Sequence, residues 1–431
     1  MTSMSYVSTR GGVAPTSLSQ ALAAGLAPDG GLFVPQTLPR IRPEDFARTQ
    51  SLADTATTLL RPYFAGDRLD LDAICREAFD FDAPLRDLDS RTQLLELFHG
   101  PTAAFKDYGA RFLAACLRRL RDPADPPLTI VVATSGDTGA AVGGAFHGIA
   151  GLRVVILYPD GRVSPRQAHQ LGAFGDNVRA LRVAGNFDDC QALVKRALND
   201  TTLQRDVPLS SANSISLGRL LPQMAYHAHA ALTFWREHGE PLNLIVPTGN
   251  LGNALAAILA RAMGVPIGEI ALATNANDVL PQYFAGAPYQ PRASVATLAN
   301  AMDVGAPSNF ERLRWLMPDE TALRSAFRVS SVDDARIRAT IQRTWREYGV
   351  AVCPHTATGL AMRESLRDSG PARWAIAATA HPAKFESIVE PLIGTTVPLP
   401  PALAALLARP AQADPMPPDQ EAFVAQLRRS R

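Results

Sequence analysis

Residues 128–146 read LTIVVATSGDTGAAVGGAF, which is a short apolar run, a glycine-rich loop and a helix-like stretch of small residues. The apolar run is enriched in Val and Ile and contains no charged residue, as is typical of a strand buried on both faces of a sheet. A strand that leads through a loop into a helix is the repeating unit of parallel sheets. This stretch therefore predicts an α/β fold.

The same pattern recurs along the chain. Further apolar runs occur at residues 152–159, 177–183, 243–248, 269–274 and 373–379. Most of these runs precede a loop or a helix-like segment, as a βαβ arrangement requires. The first runs along the chain form one set and the later runs form another. We therefore expect two lobes of mostly parallel sheet, flanked by helices, with a cleft between them.

Helical periodicity is clearest in the second half of the chain. Residues 217–238 form one long pattern, and Pro222 is expected to kink this helix or to mark its first turn. Another helix is predicted over residues 331–348, where Ser331 and Asp334 have the spacing of a capping box.

These patterns divide the chain into four expected units. They are an N-terminal extension at 1–95 that packs with the large lobe, a small α/β lobe at 96–215, a large lobe at 216–397 and a tail at 398–431. The N-terminal extension is mostly helical over residues 44–80. The tail is rich in Pro and Ala, so we expect it to wrap over the surface or to fray.

Charge and composition exclude several classes of function. The 431 residues include 42 basic and 41 acidic side chains, for a formal net charge of +1. This balance provides no long-range field for nucleic acid or for an anionic membrane, so anion binding has to be local. No apolar run resembles a secretion signal or approaches the roughly 20 residues of a membrane span. The four cysteines form no CxxC pair and fit a reducing compartment, so we expect a cytoplasmic protein.

Two strand-to-helix loops have the composition of an anion site. One contains Ser135, Gly136, Asp137, Thr138 and Gly139, and the other contains Gly249, Asn250, Gly252 and Asn253. Glycine lets the backbone approach an anion, and the free N–H groups at a helix N-terminus point towards it. Either loop alone is equally consistent with a tight connection, and neither matches the dinucleotide or P-loop pattern. Two such loops together are a stronger indication of a phosphorylated ligand.

A third junction, ATAHPAKF at residues 378–385, follows the last predicted strand. Thr379 is expected at the carboxyl end of that strand, where ligands gather in open α/β sheets. The alternative is a threonine that only bonds to its own turn.

Lys106 lies in HGPTAAFKDYGARF at residues 99–112, in a chain whose usual cation is arginine. It is expected at the start of a helix with one apolar face, after the turn at Pro101. A helix N-terminus and apolar surroundings both disfavour the ammonium form, which makes the amine available as a Schiff-base nucleophile and proton carrier. The alternative is a lysine that extends its charge into solvent.

Together these motifs resemble a known family. The chain contains, in order, YVSTRGGVAP, GLAPDGGLFVP, HGPTAAFKDYGARF, TSGDTG, NSISLGR, PTGNLGN, NAMDVGAPSNFERL and TAHPAKF. They extend from residue 6 to residue 385 and are similar to the motifs of threonine synthases, pyridoxal-phosphate enzymes of the tryptophan-synthase-β fold type. The resemblance implies the two-lobed fold type II, with the cofactor in the large lobe, and a monomer or homodimer.

The resemblance also implies a role for each cofactor-binding residue. Lys106 forms the Schiff base with pyridoxal phosphate and moves protons during turnover. The loop of Gly249, Asn250, Leu251, Gly252 and Asn253 binds the cofactor phosphate through backbone N–H groups. Thr379 presents a neutral hydroxyl to the pyridine nitrogen. Asp137 approaches the ring oxygen.

The implied substrate is O-phospho-L-homoserine. Ser135 and Thr138 lie where the family binds an anionic end of the substrate. Asn213, Ser214 and Arg219, in NSISLGR, lie where the family binds the substrate phosphate, a task that suits the bidentate guanidinium of Arg219. The implied reaction is β,γ-elimination of phosphate followed by addition of water at Cβ, which yields L-threonine and phosphate.

Three other functions remain open from the residues alone. The chain is alternatively a pyridoxal-phosphate-dependent dehydratase or phospho-lyase on the same scaffold, or a homologue without catalytic activity. A nicotinamide-dependent oxidoreductase would have the same strand and helix pattern, but the dinucleotide fingerprint is missing.

The histidines indicate no metal site. His227 and His229 are two residues apart on a predicted helix and so face different directions.

In VCPHTATGL, at residues 352–360, Cys353 occupies a position where the family commonly has an acidic residue. His355 lies either near the active site or at the cap of the following helix, and we favour the cap.

Overall fold

The computed structural model describes residues 3–366 and 372–429. Its strands are β1 (Tyr6–Ser8), β2 (Phe33–Pro35), β3 (Leu85–Asp89), β4 (Thr92–Glu96), β5 (Leu128–Ala133), β6 (Leu152–Pro159), β7 (Val178–Val183), β8 (Leu209–Ser211), β9 (Leu242–Pro247), β10 (Ile267–Thr274), β11 (Arg328–Ser331), β12 (Trp374–Ala378) and β13 (Asp414–Met416). All six strands predicted from apolar runs are present, with ends that differ by one or two residues.

The α-helices are α1 (Leu18–Ala24), α2 (Leu52–Leu60), α3 (Leu71–Ala78), α4 (Lys106–Leu120), α5 (Asp137–Phe146), α6 (Pro165–Gly172), α7 (Phe187–Asn199), α8 (Thr201–Asp206), α9 (Leu217–Leu220), α10 (Gln223–His238), α11 (Gly252–Met263), α12 (Val279–Phe284), α13 (Phe310–Leu316), α14 (Glu320–Ser325), α15 (Asp334–Tyr348), α16 (Pro354–Ser365), α17 (Glu386–Ile393), α18 (Pro401–Leu407) and α19 (Gln420–Arg429). Short 3-10 helices cover Pro43–Phe46, Arg61–Phe64, Asn300–Met302 and Pro382–Phe385. Among the described residues, no helix combines the length and apolar character needed to cross a bilayer.

One sheet has the strand order β13-β7-β6-β5-β8, and every neighbouring pair in it is parallel. The central strand β5 is buried on both faces, as its sequence predicts. Ile130 and Val132 pack in the core shared with α4 and α5, whereas Val131 and Ala133 pack in the core shared with α7 and α19. Each of these four side chains is at most 2% exposed.

The other large sheet has the order β11-β10-β9-β12-β4-β3 and is parallel except for the β3–β4 hairpin. Strands β3 and β4 were not predicted from the sequence. In β3, with the sequence LRDLD, none of the side chains is fully buried, so no apolar run marks the strand. β4 pairs in parallel with β12, and this pairing guides the following segment, which carries Lys106, towards the end of β12.

Helix α4 packs against both parts of the molecule. Tyr108 and Phe112 contribute to the core beneath the β9–β12 sheet, and Leu113 and Leu117 contribute to the core of the β5–β6 sheet. The lysine at the first position of α4 therefore lies between the two sheets.

Two of the predicted helices start differently from the expectation. Residues 217–238 form two helices, α9 and α10, and Pro222 is the N-cap of α10, which agrees with a break at this proline. The predicted capping box at Ser331 is wrong. Ser331 ends strand β11, and Asp333 caps α15 by accepting a hydrogen bond from the Arg336 N–H.

The tail wraps over the molecule, and the expectation that it might fray instead is wrong for its described part. It forms α18, β13 and α19, and β13 extends the sheet by pairing in parallel with β7. Leu403, Phe423 and Leu427 are completely buried. The tail therefore covers an edge strand that would otherwise present unpaired backbone groups to solvent.

Candidate active site

A cavity lies where the carboxyl ends of β5, β9 and β12 meet the first turns of α4, α5 and α11. All the residues to which the family resemblance gave a role line it: Lys106, Ser135, Asp137, Thr138, Asn213, Ser214, Arg219, Gly249, Asn250, Leu251, Gly252, Asn253 and Thr379. The lining also includes residues to which the sequence gave no role, among them Phe105, Thr134, Gln223 and Asp303, and it includes His355, for which a position near the active site was one of the two alternatives.

Backbone hydrogen bonds fix the position of Lys106. The Phe105 N–H donates to the Thr379 carbonyl at 2.8 Å, and the His381 N–H donates to the Ala103 carbonyl at 3.0 Å. Ala103 has a φ of 57°, an unusual conformation for a residue with a side chain. The segment before α4 therefore lies along the end of β12, which brings Lys106 close to Thr379.

Asp107 stabilises the same segment through hydrogen bonds to Thr102. Its carboxylate accepts hydrogen bonds from the Thr102 N–H at 2.9 Å and from the Thr102 hydroxyl at 2.5 Å. Burial raises the pKa of Asp107, and the two bonds to Thr102 oppose this shift. We infer that Asp107 orders the turn that precedes the lysine.

The amine of Lys106 lies in a low-dielectric environment. Burial lowers its pKa to about 8, the carboxylate of Asp137 opposes this shift, and the positive charges of Arg219 and Lys384 add to it. The neutral amine, which is the form that a Schiff-base nucleophile requires, is therefore more accessible near neutral pH than in an exposed lysine.

The loop after β5 is organised by a residue that the sequence analysis did not select. The Thr134 hydroxyl oxygen accepts hydrogen bonds from the N–H groups of Gly136 and Gly139, both at 2.9 Å. Gly136 has a φ of 128°, and a Cβ there would lie 2.6 Å from the side chain of Gln167. A threonine two residues before a glycine is a local turn signal that would have identified Thr134.

Asp137 forms a buried ion pair that the sequence did not predict. Its Oδ1 lies 2.8 Å from Lys384 Nζ and accepts a hydrogen bond from Gln167 Nε2 at 3.0 Å. Lys384 and Asp137 are 0% and 3% exposed. Although burial raises the pKa of Asp137, Lys384 and Lys106 outweigh this effect and hold it below its usual range.

The loop after β9 has the backbone of an anion cradle. Leu251, at the N-cap of α11, has a φ of 63°. A Cβ on Gly249 would lie 2.7 Å from Met302 Cα, so only glycine fits there. Asn250 donates from Nδ2 to the Ser214 hydroxyl at 2.6 Å, which joins this loop to the NSISLGR segment.

Asn253 presents a free amide N–H group at the cavity wall. The Tyr226 hydroxyl and His227 Nε2 lie 2.9 and 2.7 Å from its Oδ1. Burial lowers the pKa of His227 to about 4, so the imidazole is neutral. The buried Nδ2 of Asn253 has no partner among the described residues, which leaves a donor available for a ligand.

Arg219 provides the second free donor of the cavity. The side chain is 2% exposed, and its Nη1 donates to the carbonyl of Ala212, but its Nε has no partner in the described part of the chain. Burial lowers its pKa to about 10, so the guanidinium stays charged at neutral pH. A buried and incompletely paired cation is typical of an anion site.

His355 does not cap α16, so that expectation is wrong. Cys353 is the N-cap, and its sulfur accepts a hydrogen bond from the Thr356 N–H. His355 lines the cavity, and its Nε2 accepts a hydrogen bond from the Ala301 N–H at 3.1 Å. Burial lowers the pKa of His355 to about 4, which agrees with an unprotonated Nε2.

The segment NAMDVG, at residues 300–305, closes the cavity from the side of the β9 sheet. Asn300 Nδ2 lies 3.3 Å from both the Ser135 carbonyl and Gln167 Oε1. This amide connects the segment to the loop after β5. The described residues contain no group of three or more His, Cys, Asp or Glu side chains that could hold a metal ion.

Family models match most of the chain. A model described as pyridoxal-phosphate dependent enzyme matches residues 88–375. Models described as threonine synthase N terminus and as threonine synthase, C-terminal match residues 5–79 and 356–426.

Individual relatives agree with the family models over almost the whole length. The threonine synthase of Haemophilus influenzae is 38% identical over 419 residues, 96% of each chain, and that of Escherichia coli is 39% identical over 409 residues, 94% of each. The crystal structure of the Escherichia coli enzyme matches with a TM-score of 0.92 at 36% identity, over 99% of this chain and 100% of that one. A pyridoxal-phosphate-bound threonine synthase from Brucella melitensis matches with a TM-score of 0.90 at 36% identity, over 99% of each chain. The predicted fold type II and the predicted cofactor are thereby confirmed, and the chain belongs to the threonine synthase family of pyridoxal-phosphate-dependent enzymes.

Proposed function

We propose that the cavity converts O-phospho-L-homoserine and water into L-threonine and phosphate, with pyridoxal phosphate attached to Lys106. The observation that carries the proposal is that Lys106 shares one cavity with free donors on two different elements. One group belongs to the loop after β9 and includes Asn253, and the other includes Arg219. A phosphorylated cofactor and a phosphorylated substrate require two such anion sites.

The residues fit pyridoxal phosphate. The unpartnered Nδ2 of Asn253 and the first N–H groups of α11 are suited to a phosphate. A side chain on Gly249 would collide with the backbone of Met302, so this position of the loop has to be a glycine. Thr379 and Asp137 line the same cavity and are suited to the ring nitrogen and the ring oxygen.

Bound pyridoxal phosphate supplies an electron sink that stabilises negative charge on the substrate carbon next to its amino group. Lys106 Nζ then accepts a proton from Cα and returns one later. An amine whose burial has lowered its pKa to about 8 performs both transfers near neutral pH. Thr379 would offer a neutral hydroxyl to the ring nitrogen, so no charged group at that position of the ring would compete with Lys106 for a proton.

We further propose that Arg219, Asn213 and Ser214 bind the substrate phosphate and that Ser135 and Thr138 bind its carboxylate. Support comes from the orphaned Arg219 Nε and from the hydrogen bond between Ser214 and Asn250, which holds the two loops together. The cavity lies between the two sheets, so movement of one lobe against the other would exclude bulk water during the reaction.

The test is a product assay with O-phospho-L-homoserine. We expect L-threonine and phosphate in equal amounts, and a Lys106→Ala variant should lose about 1,000-fold or more in kcat. The wild type should also show visible absorption with pyridoxal phosphate that borohydride removes, and the variant should not. The formation of 2-oxobutyrate in place of threonine would favour the dehydratase alternative. The absence of any product would favour a non-catalytic homologue.

A further inference from the structure

Lysine is rare in this chain, yet one lysine lines the cavity and a second contacts a carboxylate of its wall. The 42 basic residues include only three lysines, Lys106, Lys195 and Lys384. Lys195 is exposed, whereas Lys384 is completely buried behind the cavity wall. A buried lysine requires partners for its charge, because desolvation of an unpaired ammonium is costly.

Lys384 has two such partners. Its Nζ lies 2.8 Å from Asp137 Oδ1 and donates to the Thr102 carbonyl at 2.8 Å. Because Thr102 belongs to the segment before Lys106, Lys384 connects the loop after β5 to the segment that positions the nucleophile.

The pairing engages only one side of the Asp137 carboxylate. Lys384 and Gln167 both approach Oδ1. Asp137 lines the cavity, and its Oδ2 forms no hydrogen bond with any described residue. Oδ2 is therefore the oxygen available to a ligand.

The charges around Lys106 show why this pairing matters. Asp137 is the one carboxylate among the groups that shift the pKa of Lys106, and it favours the ammonium form. Arg219 from α9 and Lys384 favour the neutral form. His355 from α16 is uncharged because burial lowers its pKa to about 4. Asp107, the next residue on α4, is bonded to Thr102. Without Lys384, Arg219 alone among these charges would oppose the attraction between Asp137 and the Lys106 ammonium.

We propose that Lys384 is a positioning residue that neutralises Asp137, so that Lys106 is available as an uncharged amine while Asp137 Oδ2 stays free to face the bound ring. The inference deepens the proposed function, since it rests on the roles of Lys106 and Asp137 given there. It also explains the use of lysine at this position: a compact ammonium reaches two acceptors in a space where the planar guanidinium of arginine would need more room.

The experiment measures how the reactivity of Lys106 depends on pH. The full-length protein, freed of cofactor, is labelled with limiting acetic anhydride at a series of pH values, and mass spectrometry gives the labelled fraction of Lys106. The exposed Lys195 is the internal reference. We expect Lys384→Met to raise the midpoint of Lys106 labelling by about one pH unit or more, and Asp137→Asn to lower it. In the double variant Asp137→Asn/Lys384→Met, neither charge remains, and the midpoint should return close to that of the wild type.

An unchanged midpoint in Lys384→Met overturns the proposal, because a purely structural role would not alter this titration in a folded protein. If Lys384→Met does not fold, Asp137→Asn and the double variant carry the test, and identical midpoints in these two proteins overturn it. Failure of the proposed function is recognised separately, since wild-type protein would then show no Lys106-dependent visible absorption with pyridoxal phosphate.

Discussion

Burial lowers the pKa values of the two cationic residues of the cavity, Lys106 and Arg219, and the resulting values suit them to different roles. It lowers the pKa of Lys106 to about 8 and that of Arg219 to about 10. Near neutral pH the arginine keeps its charge and can hold a phosphate, whereas the lysine changes its protonation readily. His355 and His227, each with a pKa of about 4, add no charge. The cavity therefore has a permanent cation for binding and an adjustable amine for chemistry.

Asn253 allows a residue-level test of the phosphate loop. Asn253→Asp keeps an oxygen for Tyr226 and His227 but replaces the free Nδ2 donor with a charged oxygen that repels phosphate. Loss of a hydrogen bond to a charged group costs about 1.5–3 kcal/mol, and repulsion by the new charge adds to it, so we expect about 10- to 100-fold weaker binding of pyridoxal phosphate or more. Equilibrium titration of the visible absorption measures this affinity.

Pyridoxal without its phosphate is the matched control ligand. Its affinity should be nearly the same in Asn253→Asp and in the wild type. An equal loss for both ligands would show that the substitution disturbs the cavity as a whole.

Individual site residues were predictable where a motif carried them. Lys106, Asp137 and Asn253 belong to short conspicuous stretches, and they line one cavity. Lys384 lies in a quoted motif, but nothing local shows that its charge meets Asp137, 247 positions earlier in the sequence. Long-range pairing of this kind depends on the tertiary fold, and sequence spacing does not reveal it.

At the scale of elements, predictability followed burial. The strand β5 is buried on both faces and gives a continuous apolar run, so its position could be predicted within one residue. β3 is mostly exposed at the edge of its sheet and β13 has three residues, so neither produces such a run. The N-cap of α16 also escaped prediction, because cysteine is an uncommon N-cap residue.

The junction between β5 and α5 provides an element-level prediction. Gly136→Ala places a side chain at a φ of 128° and 2.6 Å from Gln167, which must then move away from Asp137. We expect a loss of about 2 kcal/mol or more in the free energy of unfolding, together with weaker cofactor binding. Urea denaturation measures the stability, and titration with pyridoxal phosphate measures the binding.

Gly161→Ala is the matched control for this junction. Gly161 also has a positive φ, 66°, but a Cβ there meets nothing within 4 Å. The cost of a side chain in the left-handed region, about 1 kcal/mol, should appear in this variant, with unchanged cofactor affinity. Equal effects of the two substitutions on stability and on binding would contradict the role assigned to the Gln167 contact.

On the scale of the whole molecule, the site depends on contacts between the two sheets. Helix α4 packs in both cores, and Asn300 connects the 300–305 segment to the loop after β5. In the folded protein His227 and His355 are buried, and His381 is partly buried. Burial lowers the pKa of His227, His355 and His381 to about 4 in each case. The folded state consequently resists protonation of these groups.

The pH dependence of overall stability follows from this resistance. The pKa of His227 is 6.5 in the unfolded chain and about 4 in the folded protein. Its contribution to stability is therefore complete above pH 6.5 and is lost as the pH falls towards 4, at about 1.4 kcal/mol per pH unit. Asp107 and Asp303, whose pKa values burial raises, act in the opposite direction and obscure the effect of the histidines on the pH dependence of stability.

Comparison with His227→Gln cancels the effect of these carboxylates, because both proteins contain them. The variant keeps an amide N–H for Asn253 but cannot be protonated. We expect the free energy of unfolding, from urea curves at about pH 6.5 and about pH 4.5, to fall by about 2–3 kcal/mol more in the wild type than in the variant. Parallel behaviour of the two proteins over this range would mean that His227 is protonated, or accessible to water, in the folded state.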